Sequence, residues 1–365
     1  MRITAAVTPE LHADFEIEEV ELDDPHPGEA LVRVVACGVC HTDDITRHGD
    51  LPFPPPGVLG HEGAGVVEAV GDGVTNVAPG DHVVIGWPFC GACRNCLDGQ
   101  PRYCLQIGPL VAGGGRPDGS TALARPDGSP LHSHFFGQST FATHAIVGAN
   151  ALVPVAESLP LELLGPLACG IGTGAGAILN VLRPGLGSTV VVYGAGSVGL
   201  AAVMAARCTG ATTIVAVDLR PGRLELAADL GATHTLDAHE DPVAAVKEIC
   251  GGPGDFSLEC TGDVGVLRQA ADSVGMRGTC ALIGGAPAKA EFALDHVSTL
   301  WGKRIVGILG GEGRSMQLIP ALIDLWQQGR FPFDRLITTF PLERISDAFA
   351  AAHEGRVVKP VLTTG

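Results

Sequence analysis

The chain has 365 residues, more than one hydrophobic core usually supports, so two domains with separate cores are expected. Forty acidic residues against 23 basic ones give a formal charge of −17, which disfavours nucleic acid and anionic membrane surfaces as partners. No apolar run is long enough to span a bilayer and the N-terminus lacks a secretory pattern, so a cytoplasmic setting is expected, where an odd count of 11 cysteines reads as thiols and candidate metal ligands rather than disulfides.

Up to about residue 150 the chain runs in short alternating segments broken by Gly and Pro, such as "EALVRVVACGV", "GHEGAGVVEAVG", "DHVVIGW" and "FATHAIVG". This pattern predicts a β-rich domain. Within it, "CGVCHTDD" sets Cys40, and "GHEG" sets His61, at strand-to-turn junctions beside glycine, where a side chain can project into a cleft. Cys169 in "PLACGIGTG" occupies a similar position. Each alone reads more readily as a packed core residue, but together they form a Cys2His set, the pattern of a catalytic zinc with one open position.

The segment "FCGACRNCLDGQPRYC" holds Cys90, Cys93, Cys96 and Cys104 in C-x2-C-x2-C-x7-C spacing. Tight turns can aim these sulfurs at one tetrahedral Zn²⁺, and four thiolates close its shell, so this site should be structural and not catalytic. Buried free thiols and an iron–sulfur cluster are the competing readings; the Cys-Pro ending of bacterial ferredoxins is missing. The stretch "AGGGRPDGSTALARPDGSPLHSH" reads as the longest loop, with little nameable chemistry.

From about residue 170 apolar strands alternate with helix-length segments, from "STVVVYG" and "SVGLAAVMAARCTG" to "TTIVAVD" and "GRLELAADLGA", predicting a parallel sheet with helices on its faces. "VVVYGAGSVGL" places Gly194, Gly196 and Gly199 in G-x-G-x-x-G register, with Ser197 and Val198 opening the helix. The glycines allow a tight turn, approach of a pyrophosphate to the backbone, and close helix–strand packing. Asp218, nineteen residues after Gly199, can accept both adenosine ribose hydroxyls and would repel a 2′-phosphate, favouring NAD over NADP. Arg220 and Arg223 pull the other way. The final strand–helix–strand segment is expected to rejoin the first domain.

With these motifs in this order, the chain resembles the zinc-dependent alcohol dehydrogenases of the medium-chain dehydrogenase/reductase superfamily, from about residue 30 to its end. The resemblance implies an α/β architecture: a GroES-like β-barrel catalytic domain over residues 1–170 and 307–365, and a Rossmann doubly wound parallel-sheet domain over residues 171–306. The active site is expected in the cleft between them. It further implies one catalytic and one structural zinc per chain, NAD, a small alcohol or aldehyde substrate, and a homodimer or homotetramer.

By the same resemblance Cys40, His61 and Cys169 hold the catalytic zinc. Glu62 is the nearby carboxylate able to enter the shell, and Asp43 the acid that orients His61. Thr42 bonds the substrate oxygen and begins the proton's exit, with a helix N-cap as its ordinary alternative. His41 and Lys359 match positions that contact pyrophosphate, Arg223 a basic residue common in NAD-specific members, and "TCALIGG" the segment that meets the carboxamide.

Ile45 stands where many animal members carry a relay histidine, so water or His48 is expected to take the proton. An apolar residue there recurs in bacterial benzyl- and allylic-alcohol dehydrogenases. With Trp87, Phe135 and Phe136 near pocket positions, it implies an aryl or terpenoid primary alcohol. The alternatives are a formaldehyde dehydrogenase dependent on glutathione or mycothiol, and a non-catalytic zinc- and nucleotide-binding sensor.

Overall fold

The computed structural model describes residues 1–365, which divide into two compact units. The first comprises Met1–Cys169, Arg314–Pro320 and Asp334–Gly365. Its central strand, Glu29–Gly38, pairs antiparallel with Gly63–Val70, His144–Gly148 and Lys359–Thr363. Inward residues Val32, Val34, Val67, Val83, Ile85, Val147 and Leu152 fill one core, as the alternating apolar pattern requires. A second sheet of five strands is built around Arg2–Thr8 and Glu16–Leu22.

This arrangement brings distant sequence together. Glu29–Gly38 ends two residues before Cys40, Gly63–Val70 begins two residues after His61, and Lys359–Thr363 pairs Val361 with Gly38. The helix His41–Arg47 starts directly from Cys40.

The second unit comprises Gly170–Gly313 and Ala321–Phe333. Six parallel strands lie in the order His234–Asp237, Thr213–Asp218, Thr189–Tyr193, Gly254–Glu259, Val274–Leu282 and Arg304–Gly307, the Rossmann order. The neighbouring strands Thr189–Tyr193 and Gly254–Glu259 mark the reversal of strand order, the switch point at which such folds bind ligands. The helix Ser197–Arg207 is apolar nearly throughout and buried along most of its length, because its small residues pack directly on the sheet.

The C-terminal strand does rejoin the first unit. Residues 307–313 and 321–333, expected with it, pack in the second unit instead. For residues 307–313 a close backbone contact that no side-chain pattern reveals accompanies this: a Cβ on Gly311 (φ +69°) would lie 2.5 Å from the Gly172 carbonyl oxygen, and Asn180 donates to the Gly311 carbonyl at 3.0 Å.

Candidate active site

Cys40, His61, Glu62 and Cys169 converge, with one candidate ligand atom from each lying within 4.8 Å of the others. Cys40 is the N-cap of the helix His41–Arg47. Asp43, fully buried in its first turn, accepts from the Cys40 amide at 3.0 Å, the Gly60 amide at 3.1 Å and His61 Nδ1 at 2.9 Å. One carboxylate therefore caps the helix and fixes the histidine. Because the carboxylate accepts, the proton sits on Nδ1, and Nε2 faces the Cys169 sulfur at 3.3 Å.

Charge in this buried site is balanced locally. The Cys169 thiol chiefly, with His61, stabilises Cys40 as a thiolate and holds its pKa well below the usual thiol range. Burial raises the Glu62 carboxyl, and Lys359 acts against that by placing Nζ 2.9 Å from its carboxylate while also donating to the Val39 carbonyl at 2.9 Å. The glycine at position 38 makes room for this pair, since a Cβ there would lie 2.0 Å from Glu62 Oε2.

Two cysteine sulfurs, an imidazole with its outer nitrogen anchored by a carboxylate, and a carboxylate in reserve form a donor set suited to zinc with an open position. When bound, the metal supplies Lewis acidity that lowers the pKa of an alcohol hydroxyl. The Thr42 hydroxyl lies 3.6 Å from Cys40 Sγ, at the edge of the ligand cluster. Thr42 is therefore not the N-cap: Cys40 fills that role, leaving the threonine hydroxyl for the site.

Aromatic rings cover the histidine. Phe136 stacks on His61 with centroids 4.6 Å apart, Phe135 meets it edge-on at 5.5 Å, and Trp87 meets Phe136 edge-on at 4.9 Å. The backbone here is strained, with positive φ at His134 (61°), Phe136 (50°) and Ser139 (58°), conformations that non-glycine residues hold only where the surroundings demand it. Gln138 locks the segment by donating to the His61 carbonyl at 3.0 Å and accepting from the Gly63 amide at 3.1 Å. Gln138 escaped the sequence reading because a lone glutamine in a Gly- and aromatic-rich stretch carries no motif.

Cys90, Cys93, Cys96 and Cys104 form the second cluster, with sulfur–sulfur distances of 3.5, 3.9 and 4.0 Å for three of its pairs. A tetrahedron with arms of about 2.3 Å has edges of about 3.8 Å, so the four sulfurs fit one zinc. Amides of Cys93, Leu105 and Gln106 point at Cys90, Cys93 and Cys104. The Leu105 amide, foremost, lowers the Cys93 thiol to about 6. Four sulfurs leave no open position, and this site's role is to hold its lobe together.

That lobe also delivers Arg102, another residue without a motif. It is 4% exposed, sits with its guanidinium carbon 4.8 Å above the Trp87 ring, and donates to Ser315 Oγ at 3.2 Å. Burial lowers its pKa to about 10, partly countered by Cys169, so it remains charged near neutrality.

In the second unit, Gly194 has φ +92°, and a Cβ at Gly199 would lie 1.8 Å from the Gly194 carbonyl oxygen. A Cβ at Gly196 would meet nothing within 4 Å, leaving an exposed cradle at the N-terminus of the helix Ser197–Arg207, of the kind that holds a pyrophosphate. Asp218 ends the next strand and accepts from the Ala195 amide at 2.7 Å and the Arg220 amide at 2.9 Å. Arg223 is buried beside Asp218 and Arg220, and burial lowers its pKa.

Other expected residues lie as follows. His41 is exposed at the first position of its helix, and Ile45 is half-buried one turn beyond Thr42. His48 faces away from Thr42: six helical steps place it on the face of Asp44 and Arg47, in a groove of about 380 Å³ with Phe349 and His353. Lys359, expected at a pyrophosphate, is 2% exposed with its ammonium committed to Glu62 and Val39, because the C-terminal strand carries it into the metal site.

A barrel-type unit bearing one open and one closed metal site, joined to a Rossmann unit, defines a zinc-dependent dehydrogenase. Residues 26–157 match the family model described as the alcohol dehydrogenase GroES-like domain, and residues 197–327 that of the zinc-binding dehydrogenases. The chain is 43% identical to the geraniol dehydrogenase of Castellaniella defragrans, over 98% of this chain and 96% of that protein. It is 34% identical to the S-(hydroxymethyl)glutathione dehydrogenase of Paracoccus denitrificans, over 99% and 100%. Among solved structures it is similar to the benzyl alcohol dehydrogenase of Acinetobacter calcoaceticus, at TM-score 0.97 and 43% identity over the whole of both chains. An alcohol dehydrogenase zinc-binding domain protein from Burkholderia ambifaria gives TM-score 0.98 and 49% identity, covering 100% and 99%. The chain belongs to the zinc-dependent alcohol dehydrogenases of the medium-chain dehydrogenase/reductase superfamily, and its reaction is the oxidation of an alcohol.

Proposed function

We propose that this enzyme interconverts primary aryl or allylic alcohols, such as benzyl alcohol or geraniol, with their aldehydes, using NAD in the cytoplasm. The aromatic pair of Trp87 and Phe136 beside His61 carries this reading, with the fully buried Phe135 packed behind them, because flat rings and conjugated chains pack well against such faces and exclude water. The relatives with geraniol and benzyl alcohol in their names support it. The bound cofactor supplies the hydride acceptor. Cys40, His61 and Cys169 hold the metal, Asp43 keeps His61 in register, and Thr42 accepts the proton leaving the alcohol oxygen. With His48 turned away, solvent is the next proton acceptor. Asp218 supports NAD, and His41 together with the glycine-rich loop is assigned to the pyrophosphate.

The chain is further proposed to form a homo-oligomer. The edge strand Arg304–Gly307 lies near exposed Met276, Val297, Leu300 and Trp301, an apolar surface that a second copy would cover.

Following NADH formation on benzyl alcohol, geraniol and ethanol, with NADP in parallel and after zinc chelation, tests the reading. Fast turnover of the first two with NAD, slow turnover of ethanol, and loss on chelation are expected. Activity only with formaldehyde plus a thiol would replace it with the formaldehyde dehydrogenase reading. Binding of zinc and nucleotide without turnover of any of these would favour the sensor.

A further inference from the structure

The segment that carries His61 and Glu62 is paired along its length with the segment that carries Phe136, and the pairing changes character partway. The Phe141 and Thr140 amides donate to the Leu59 and Gly60 carbonyls, each at 3.0 Å. At Ser139 the backbone turns with φ +58°, and the run of peptide-to-peptide bonds ends. There the Gln138 side chain takes over. Its Nε2 donates to the His61 carbonyl at 3.0 Å and its Oε1 accepts from the Gly63 amide at 3.1 Å, as a peptide group of a neighbouring strand would. The Thr140 hydroxyl donates to the same Oε1 at 3.2 Å, which fixes the rotation of the amide.

This use of a side chain is demanding. A carboxylate has no donor for the His61 carbonyl, a shorter amide lacks the reach, and an apolar chain leaves a carbonyl and an amide unpaired. Gln138 is 1% exposed and His61 and Glu62 are 0% exposed, so the loss falls where an unpaired polar group costs most. The two bonds bracket Glu62, so one amide holds the backbone from which both His61 and Glu62 project. Asp43 acts on the far end of the same histidine, at the ring Nδ1. Two residues before Gln138, Phe136 stacks on that ring with centroids 4.6 Å apart.

We infer that Gln138 is a positioning residue for the open metal site: it sets the root of His61 and Glu62 and ties it to the turn that carries Phe136. The inference rests on the assignment of His61 as a metal ligand and adds a residue that neither touches the metal nor belongs to a motif. Retention of the open-site zinc and the turnover number should therefore depend on an amide at position 138.

Zinc release into a chromogenic chelator is followed for wild type, Gln138→Met, Gln138→Asn and Phe136→Leu, beside steady-state kinetics on an alcohol that wild type oxidises. The ion whose release tracks loss of activity belongs to the open site, and the closed-cluster ion serves as an internal control. Gln138→Met should release the open-site zinc about tenfold faster and lower kcat about tenfold, with closed-cluster release unchanged. Gln138→Asn, which keeps the amide but not its reach, should move in the same direction. Phe136→Leu removes the ring and keeps the amide pairing, so it should raise KM while its open-site release stays near that of wild type.

Equal acceleration of both zinc ions in Gln138→Met overturns the inference, because general loosening of the unit would act in that way. Unchanged open-site release overturns it too, as does acceleration by Phe136→Leu equal to that by Gln138→Met, which would give the role to the ring. Hydrogen exchange of wild type needs no variant to fold: peptides covering residues 134–141 should gain protection when the open site is loaded with zinc, and no gain overturns the inference. Wild type that binds zinc only at the four-cysteine cluster would instead remove the metal-ligand assignment, and the inference with it.

Discussion

At the residue scale, Asp43 shows how one carboxylate can organise a metal site. It closes the first turn of a helix, ties down Gly60 and sets the His61 tautomer through three hydrogen bonds. Asp43→Asn would offer an amide where a carboxylate accepted from three N–H groups, so His61 would lose its fixed orientation. Zinc affinity and kcat/KM should each fall about 10- to 100-fold, measured by metal content after dialysis and by steady-state kinetics. The ligands themselves were legible because Cys and His beside glycine at strand ends form recognisable motifs. Gln138 and Arg102 were not, because each matters only through what the fold places against it.

At the element scale, the long loop that looked chemically empty is fastened by Arg116. Its guanidinium grips Glu29 at 2.9 and 3.1 Å and Asp23 at 3.1 Å, and its side chain is 3% exposed. Burial raises the Glu29 carboxyl, but His134, Arg116 and the His26 amide outweigh it and bring the pKa down from 4.5 to about 2. A depressed carboxylate stabilises the fold fully above its unfolded pKa, and that contribution is lost as pH falls from about 4.5 towards 2. Melting temperature should therefore drop across this window. Glu29→Gln should flatten the drop and, by leaving Arg116 short of charge, cost roughly 3 kcal/mol at neutral pH, read by denaturant unfolding.

The glycine-rich turn offers a second contrast at this scale. Gly199→Ala forces a Cβ against the Gly194 carbonyl, so it should destabilise the Rossmann unit by about 1–3 kcal/mol in denaturant unfolding. Gly196→Ala meets open space in the protein and should leave stability nearly unchanged while weakening NAD binding in a direct titration. Equal effects on stability would contradict these separate roles for the two glycines.

For the whole molecule, the two clusters predict two zinc ions per chain with different consequences on removal. Cys93→Ser should bring the metal content to one per chain and lower Tm by at least about 5 °C, in calorimetry paired with metal analysis. A loss of activity without a loss of stability would mean that this cluster is not a structural staple. The division of the chain belongs to this scale as well. The sequence pattern showed a return to the first unit, but residues 321–333 remain with the second, where Phe331 and Phe333 are fully buried.

The sequence by itself determined the family, the Rossmann alternation, both metal-ligand sets and the glycine fingerprint, because each is carried by local spacing and residue chemistry. Tertiary structure decided what depends on long-range packing. Strand pairing brought Lys359 to Glu62 across 297 positions, helix phase turned His48 away from Thr42, and the cysteine-bound lobe set a buried Arg102 against Trp87. Burial made the Lys359–Glu62 pair part of the metal site, and burial is a property of the folded chain.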